Sequence, residues 1–195
     1  MRGRSDPAAA LLSGVQNADA PPRMNVFLVG PMGSGKSAVG RQLAQRLALE
    51  FIDSDAEIEA RTGVDIAYIF EREGEAGFRS REAEVIDAIS RRDRVLVSTG
   101  GGAVLDAGTR ERLRTRGRVV YLRTSVDQQL ARTRRSNDRP LLNNDDPRGT
   151  LERLFEQRAP LYTEVAEIVV DTDGRKVKTV VDQICHQLGV EGLEP

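Results

Sequence analysis

The sequence predicts an α/β fold, a three-layer sandwich in which a five-stranded parallel sheet carries helices on both faces. Three observations predict it. Short apolar runs alternate with amphipathic stretches along the chain, the pattern of strand-helix units. The runs are mostly apolar, as befits strands covered on both faces. The first run, Met24 to Val29, leads straight into Gly30-Pro31-Met32-Gly33-Ser34-Gly35-Lys36-Ser37, a strand-turn-helix signature.

Taken in order, residues 1–23 show no sustained periodicity and hold a Pro21-Pro22 pair, so they read as a leader outside the fold. The fold is expected over 24–190, with 191–195 as a tail. After the glycine-rich turn, Val39, Leu43 and Leu47 mark one helix face. Phe51-Ile52 forms a second strand ending in Asp53-Ser54-Asp55, where Asp55 is placed to cap a helix from Ala56. Residues 56–90 read as broken helix, with turns at Gly63 and around Gly74 and Gly77. Asp65 caps Ile66 to Glu73, and a helix from about Phe78 buries Ala83, Ile86 and Ile89. Arg94 to Ser98 is a third strand that runs into Thr99-Gly100-Gly101-Gly102. A helix through Leu113, a strand at Val119 to Leu122 and a helix from about Ser125 to Arg134 follow. Residues 135–147 are polar and suit a long loop. Pro147 opens a helix carrying Leu151, Leu154 and Phe155. Ile168 to Val170 is the last strand, and Val177, Val180, Val181, Ile184 and Leu188 line the closing helix.

Length and composition narrow the function. A chain of 195 residues and 21.4 kDa, 39% apolar and 30% charged, fits one soluble domain. No apolar run approaches the length that crosses a bilayer. A single cysteine, Cys185, excludes an internal disulfide and reads as part of a helix face, so a reducing cytoplasm is expected. His186, the one histidine, reads as an exposed bystander. The net charge of −1 hides ten arginines between Arg110 and Arg139 against three acids. That excess points to anionic ligands or a solvated face. Nucleic acid is disfavoured, because Tyr121 is the lone aromatic there to stack on bases.

The chemistry starts from the glycine-rich turn. Its glycines let backbone N–H groups converge at a helix N-terminus, where the helix dipole adds partial positive charge. Gly33, Ser34, Gly35, Lys36, Ser37 and Ala38 are therefore the candidate phosphate cradle. Lys36 is expected to reach the β- and γ-phosphates of a nucleotide, and the Ser37 hydroxyl to help hold Mg²⁺. A guanine-reading Asn/Thr-Lys-x-Asp motif is absent, which argues against a GTPase. A small-molecule kinase needs in addition an acceptor pocket, a group that orients the acceptor hydroxyl, cations for the migrating phosphoryl group and a lid that excludes water.

Six motifs in order answer those needs. They are the phosphate turn (30–37), Asp53-x-Asp55, Phe78-Arg79-x-x-Glu82, Gly100-Gly101-Gly102, Arg139-Pro140-Leu141-Leu142 and Arg158-x-Pro160-Leu161-Tyr162. Together, from about Met24 to Leu188, the chain resembles the shikimate kinase family. The resemblance implies the nucleoside-monophosphate-kinase-like P-loop fold with a substrate-binding insertion at about 54–90 and a lid at about 133–147. It implies a monomer that transfers phosphate from ATP, with Mg²⁺, to the 3-hydroxyl of shikimate, on the route to chorismate and the aromatic amino acids.

Carried over by position, Asp55 would meet the acceptor hydroxyl, Arg79 and Arg158 would grip the substrate carboxylate, and Gly100, Gly101 and Gly102 would line the substrate. Glu82 would position Arg79, although an ordinary helix-face ion pair places the same two residues together. Arg139 on the lid would touch phosphate and substrate. Lys36 would stabilise the transferring group. Asp53 would act near Mg²⁺ with Ser37, or serve as a capping carboxylate, and Ser98 stands where related proteins place a second-sphere magnesium group. Arg132 would stack on adenine and Arg175 would close its other side. The chain departs from the family there, with Val177 where a proline is common. A compact ring acid with three hydroxyls needs guanidinium forks and carboxylate acceptors, and Arg79, Arg158 and Asp55 are those residue types. The competing readings are a gluconate- or nucleotide-kinase on the same scaffold, and a nucleotide-responsive module without activity. The second sits poorly with a chain that keeps Lys36, Asp55 and Arg139.

Overall fold

The structure, a computed structural model, describes residues 24–133 and 145–190. The expected leader (1–23), tail (191–195) and most of the expected lid, Arg139 included, lie outside the described residues.

Five strands, β1 (Val26–Val29), β2 (Glu50–Asp53), β3 (Val95–Ser98), β4 (Arg118–Arg123) and β5 (Ile168–Asp171), form one parallel sheet in the order β2-β3-β1-β4-β5. The helices are α1 (Lys36–Arg46), α2 (Ser54–Thr62), α3 (Ile66–Ser90), α4 (Ala107–Arg116), α5 (Val126–Thr133), α6 (Pro147–Val165) and α7 (Val177–Leu188). A 3₁₀ turn, Ala103–Leu105, precedes α4.

Strand periodicity divides the core into two layers. Phe27, Val29, Val95, Val97, Val119 and Tyr121 point to one face, where they meet Ile58, Ile86, Ile89, Leu113 and Tyr162. Val26, Leu28, Leu96, Val120 and Leu122 point to the other, against Val39, Leu43, Val181 and Ile184. Successive strand side chains alternate faces, so a sheet clothed on both sides demands an unbroken apolar run. Each fully buried Leu, Ile, Val or Phe contributes roughly 1.5–3 kcal/mol. One close approach needs a glycine: a Cβ on Gly40 of α1 would lie 2.6 Å from the Phe51 ring.

Several local expectations are corrected. Asp53, not Asp55, caps α2, accepting from the Asp55 N–H at 3.1 Å, so the helix starts two residues before Ala56. Gly63 ends α2 in the left-handed conformation and Gly74, at φ 69°, kinks α3, but Gly77 continues the helix. Asp65 caps α3 as expected, accepting from Tyr68 N–H at 2.7 Å. On α3 the face that packs inward carries Glu82 rather than Ala83, which is half-buried. Val177 is exposed and does not line the α7 interface. Leu154 and Phe155 of α6 are half-buried, while Leu151 is buried.

Of the ten arginines from Arg110 to Arg139, five make ion pairs within the fold, among the described residues. Arg110 pairs with Glu164, Arg112 and Arg116 with Asp87, Arg118 with Glu167 and Arg123 with Asp171. Their acids come from outside the 110–139 stretch.

Candidate active site

Parallel strands bring their C-terminal ends to one edge, and the loops after β1, β2, β3 and β4 gather there. The loop after β1 turns at Gly30 (φ 143°), Gly33 (φ 75°) and Gly35 (φ 92°), a region closed to most side chains. Gly30 presses on the end of β4, where a Cβ would lie 2.6 Å from the Leu122 carbonyl oxygen. Gly35 hands over to α1, its carbonyl accepting from Val39 N–H at 2.9 Å. Lys36 Nζ spans the loop, donating to the Gly30 and Pro31 carbonyls at 2.8 and 2.9 Å. Ser34 is buried and Ala38 stands exposed on the first turn of α1.

Asp53 at the end of β2 uses its two oxygens separately. Oδ1 caps α2, and Oδ2 accepts from the Ser37 hydroxyl at 2.9 Å. The register pairs Asp53 with Ser98, and Ser98 with Leu28, so these groups sit side by side across the sheet. A hydroxyl and a carboxylate are hard oxygen donors suited to a Mg²⁺ ion that takes its other ligands from phosphate and water. Among the described residues no cluster of three His, Cys, Asp or Glu side chains forms a protein cage for a metal.

The loop after β3 is where the remaining groups meet. Gly100 N–H donates to the buried Ser54 hydroxyl at 2.9 Å, tying the loop to the start of α2. A Cβ on Gly100 would lie 2.3 Å from Glu82 Oε1 and 2.9 Å from Asp55 Oδ1; one on Gly102 would lie 2.3 Å from the Arg79 guanidinium. Neither residue has a positive φ. A side chain at either position would have to displace the carboxylates or the guanidinium that lie against the loop. A Cβ on Gly101 would stand 3.5 Å from Met32 N and 3.6 Å from the Gly30 carbonyl oxygen, so the same loop also lies along the phosphate turn.

Arg79 forks between Glu82 (2.6 Å) and Glu75 (3.1 Å). Glu82 is 2% exposed, and burial pushes its carboxyl above the usual range, with Arg79 and Arg158 pulling it back and Asp55 adding to the rise. Burial also works against the Arg79 charge, and its two glutamates more than restore it. Arg158 on α6 is 5% exposed, and its Nε finds no hydrogen-bond partner among the described residues. Glu82 supplies part of its counter-charge, and the buried Nε–H without an acceptor still favours an anionic ligand, since an unsatisfied buried donor is costly.

The other end of the phosphate turn is held by Arg132. It donates to the Gly33 carbonyl at 2.8 Å and to the Thr172 carbonyl at 3.1 Å. Arg175 follows in the loop after β5; its N–H donates to the same Thr172 carbonyl, and its side chain turns to Gln183 of α7. Asp173 of that loop accepts from Thr124 Oγ1 and from Ser125 N–H, anchoring the start of α5. Sequence reasoning singled out neither Ser54, Thr172 nor Asp173 for a role, since a short polar residue in a turn carries no signal until its partner, 46 to 49 residues away, is known.

A phosphate turn and a carboxylate-guanidinium cluster sharing one glycine loop, on a parallel sheet of this order, define a P-loop small-molecule kinase. At the level of fold alone, the chain is similar to a gluconokinase from Sinorhizobium meliloti, 18% identical with a TM-score of 0.52 over 87% of this chain and 98% of that one. Closer likenesses are more particular. The shikimate kinase family model matches residues 32–189. The chain is 55% identical to a shikimate kinase of Shewanella amazonensis over 167 residues, 86% of this chain and 98% of that protein. It is 45% identical, with a TM-score of 0.84, to the structure of shikimate kinase from Acinetobacter baumannii in complex with shikimate, over 89% of this chain and 97% of that one. The chain belongs to the shikimate kinase family.

Proposed function

We infer that this chain transfers the γ-phosphoryl group of ATP to the 3-hydroxyl of shikimate, giving shikimate 3-phosphate and ADP in the route to chorismate. The observation that carries the reading is the glycine loop, whose middle residue lies along the phosphate turn while its flanking residues lie against Asp55, Glu82 and Arg79. Donor and acceptor groups with a common wall suit direct transfer.

In this reading the Arg79 and Arg158 guanidinium groups hold the shikimate carboxylate, and the ring hydroxyls face Asp55 and the backbone of 100–102. Asp55 aligns the 3-hydroxyl oxygen for in-line attack on the γ-phosphorus. The new P–O bond forms as the bond to the β,γ-bridging oxygen breaks, ADP leaves with that bond's electron pair, and the hydroxyl proton passes to solvent. A loose transition state demands little prior deprotonation, so alignment is the larger service. The N–H groups of 33–38 and Lys36 receive the phosphate charge. Ser37 and Asp53 would hold Mg²⁺, which would supply positive charge to the phosphate groups when bound. Arg132 and Arg175 flank the adenine, and Arg139 acts from the lid. We take the protein to be a cytoplasmic monomer, with 24–190 as the kinase domain. No described helix is long and apolar enough to cross a membrane.

An ADP-release assay across shikimate, gluconate and AMP tests the reading. Turnover with shikimate and none with the other two is expected. Turnover with gluconate or AMP but not shikimate rejects it, and binding of ATP and shikimate without product moves the chain to a non-catalytic role.

A further inference from the structure

Glu82, Asp55 and Arg79 crowd the Cβ positions of Gly100 and Gly102, but Gly101 has room around it. Atoms near its Cβ position lie at ordinary contact distances of 3.5 Å and more. Its peptide to Gly102 is the middle one of a turn closed by the Ala103 N–H, which donates to the Gly100 carbonyl at 3.2 Å. A second constraint comes from α6, where the Tyr162 hydroxyl donates to the Gly101 carbonyl oxygen.

Tyr162 is 0% exposed, and its ring packs on Tyr121 with centroids 5.0 Å apart. Burial pushes its phenol well up, and the neighbouring Arg158 guanidinium pulls it part of the way back. The hydroxyl therefore stays a donor throughout the neutral range. Arg158 and Tyr162 are four residues apart on α6, hence on one face of the helix, and both are buried there. A peptide unit is planar and trans, so the Gly101 carbonyl and the Gly102 N–H point in opposite directions from one rigid plate. Fixing the carbonyl fixes the N–H.

We propose that Tyr162 is a positioning residue: by holding the Gly101 carbonyl beside Arg158, it aims the Gly102 N–H and the Arg158 guanidinium at the same acceptor ligand. This rests on the shikimate reading above. The hydroxyl donates to the glycine loop and not to the phosphate turn, so its effect belongs on acceptor saturation.

Tyr162→Phe keeps the ring and deletes the hydroxyl, taking that donor from the part-buried Gly101 carbonyl. KM for shikimate should rise about tenfold, as expected for one lost hydrogen bond, with KM for ATP unchanged. Tyr121→Phe is the control for the stacked pair. Its hydroxyl has no hydrogen-bond partner among the described residues, and its removal should leave both KM values unchanged. Combined with Arg158→Lys, Tyr162→Phe should be non-additive on shikimate KM, since both act on one grip.

An unchanged shikimate KM in Tyr162→Phe overturns the proposal. So does an equal rise in both KM values, strict additivity with Arg158→Lys, or failure of Tyr162→Phe to fold at the assay temperature, which would make the hydroxyl a folding anchor. If the unmodified chain does not phosphorylate shikimate, the functional reading itself has failed. That result is distinct from a working enzyme indifferent to the hydroxyl.

Discussion

Lys36→Ala lowers kcat for shikimate phosphorylation by about a hundred- to a thousandfold and leaves KM for shikimate nearly unchanged. The magnitude is that of removing one preorganised donor from developing negative charge in a water-poor site. The asymmetry follows from position. Lys36 Nζ bonds to the Gly30 and Pro31 carbonyls, on the phosphate side of the glycine loop, whereas the groups proposed to hold the acceptor lie on its other side. A charge that matters most while the phosphoryl group is between two oxygens raises kcat without tightening the ground state. Steady-state kinetics with both substrates varied checks this. A large rise in shikimate KM at normal kcat would mean that Lys36 faces the acceptor instead.

Arg158→Ala raises KM for shikimate about a hundredfold, in the range for deleting one partner of a buried charge pair. The argument is electrostatic. Arg158 is 5% exposed, its Nε has no partner among the described residues, and its field reaches Glu82. A ligand carboxylate would add to the counter-charge of Glu82 and give the Nε–H an acceptor. Arg79, by contrast, already spends its fork on Glu82 and Glu75, so its own share of the carboxylate grip is smaller and more dependent on how those glutamates sit. The expected signature is a rise in shikimate KM with little change in KM for ATP. Unchanged shikimate saturation would show that the carboxylate is held elsewhere.

The fold was legible in the sequence because its signals are local. Apolar runs such as Val26–Val29 and Val95–Ser98 have no other use than burial on both faces, and the glycines at 30, 33 and 35 meet a conformational demand that most side chains cannot. The site was legible as a set of residue types, through the order of six motifs. What the sequence could not show was distance. Gly100 and Gly102 look alike as letters, yet one makes room for Glu82 and Asp55 and the other for Arg79. Tyr162 entered as part of a pattern, and only packing reveals its bond to Gly101, 61 residues away. Glu82 broke the apolar periodicity of α3 because its burial is sustained by ionic partners rather than by hydrophobicity. Asp53 displaced Asp55 as the cap because β2 runs one residue beyond its apolar core, which carries the strand directly into α2.

The most direct measurement is the structure of the chain with shikimate and a non-hydrolysable ATP analogue. The account predicts the shikimate carboxylate between Arg79 and Arg158, the 3-hydroxyl against Asp55, and that oxygen in line with the terminal phosphorus above the 30–37 turn. Shikimate seated away from the glycine loop, or with its carboxylate toward the phosphate turn, would contradict it.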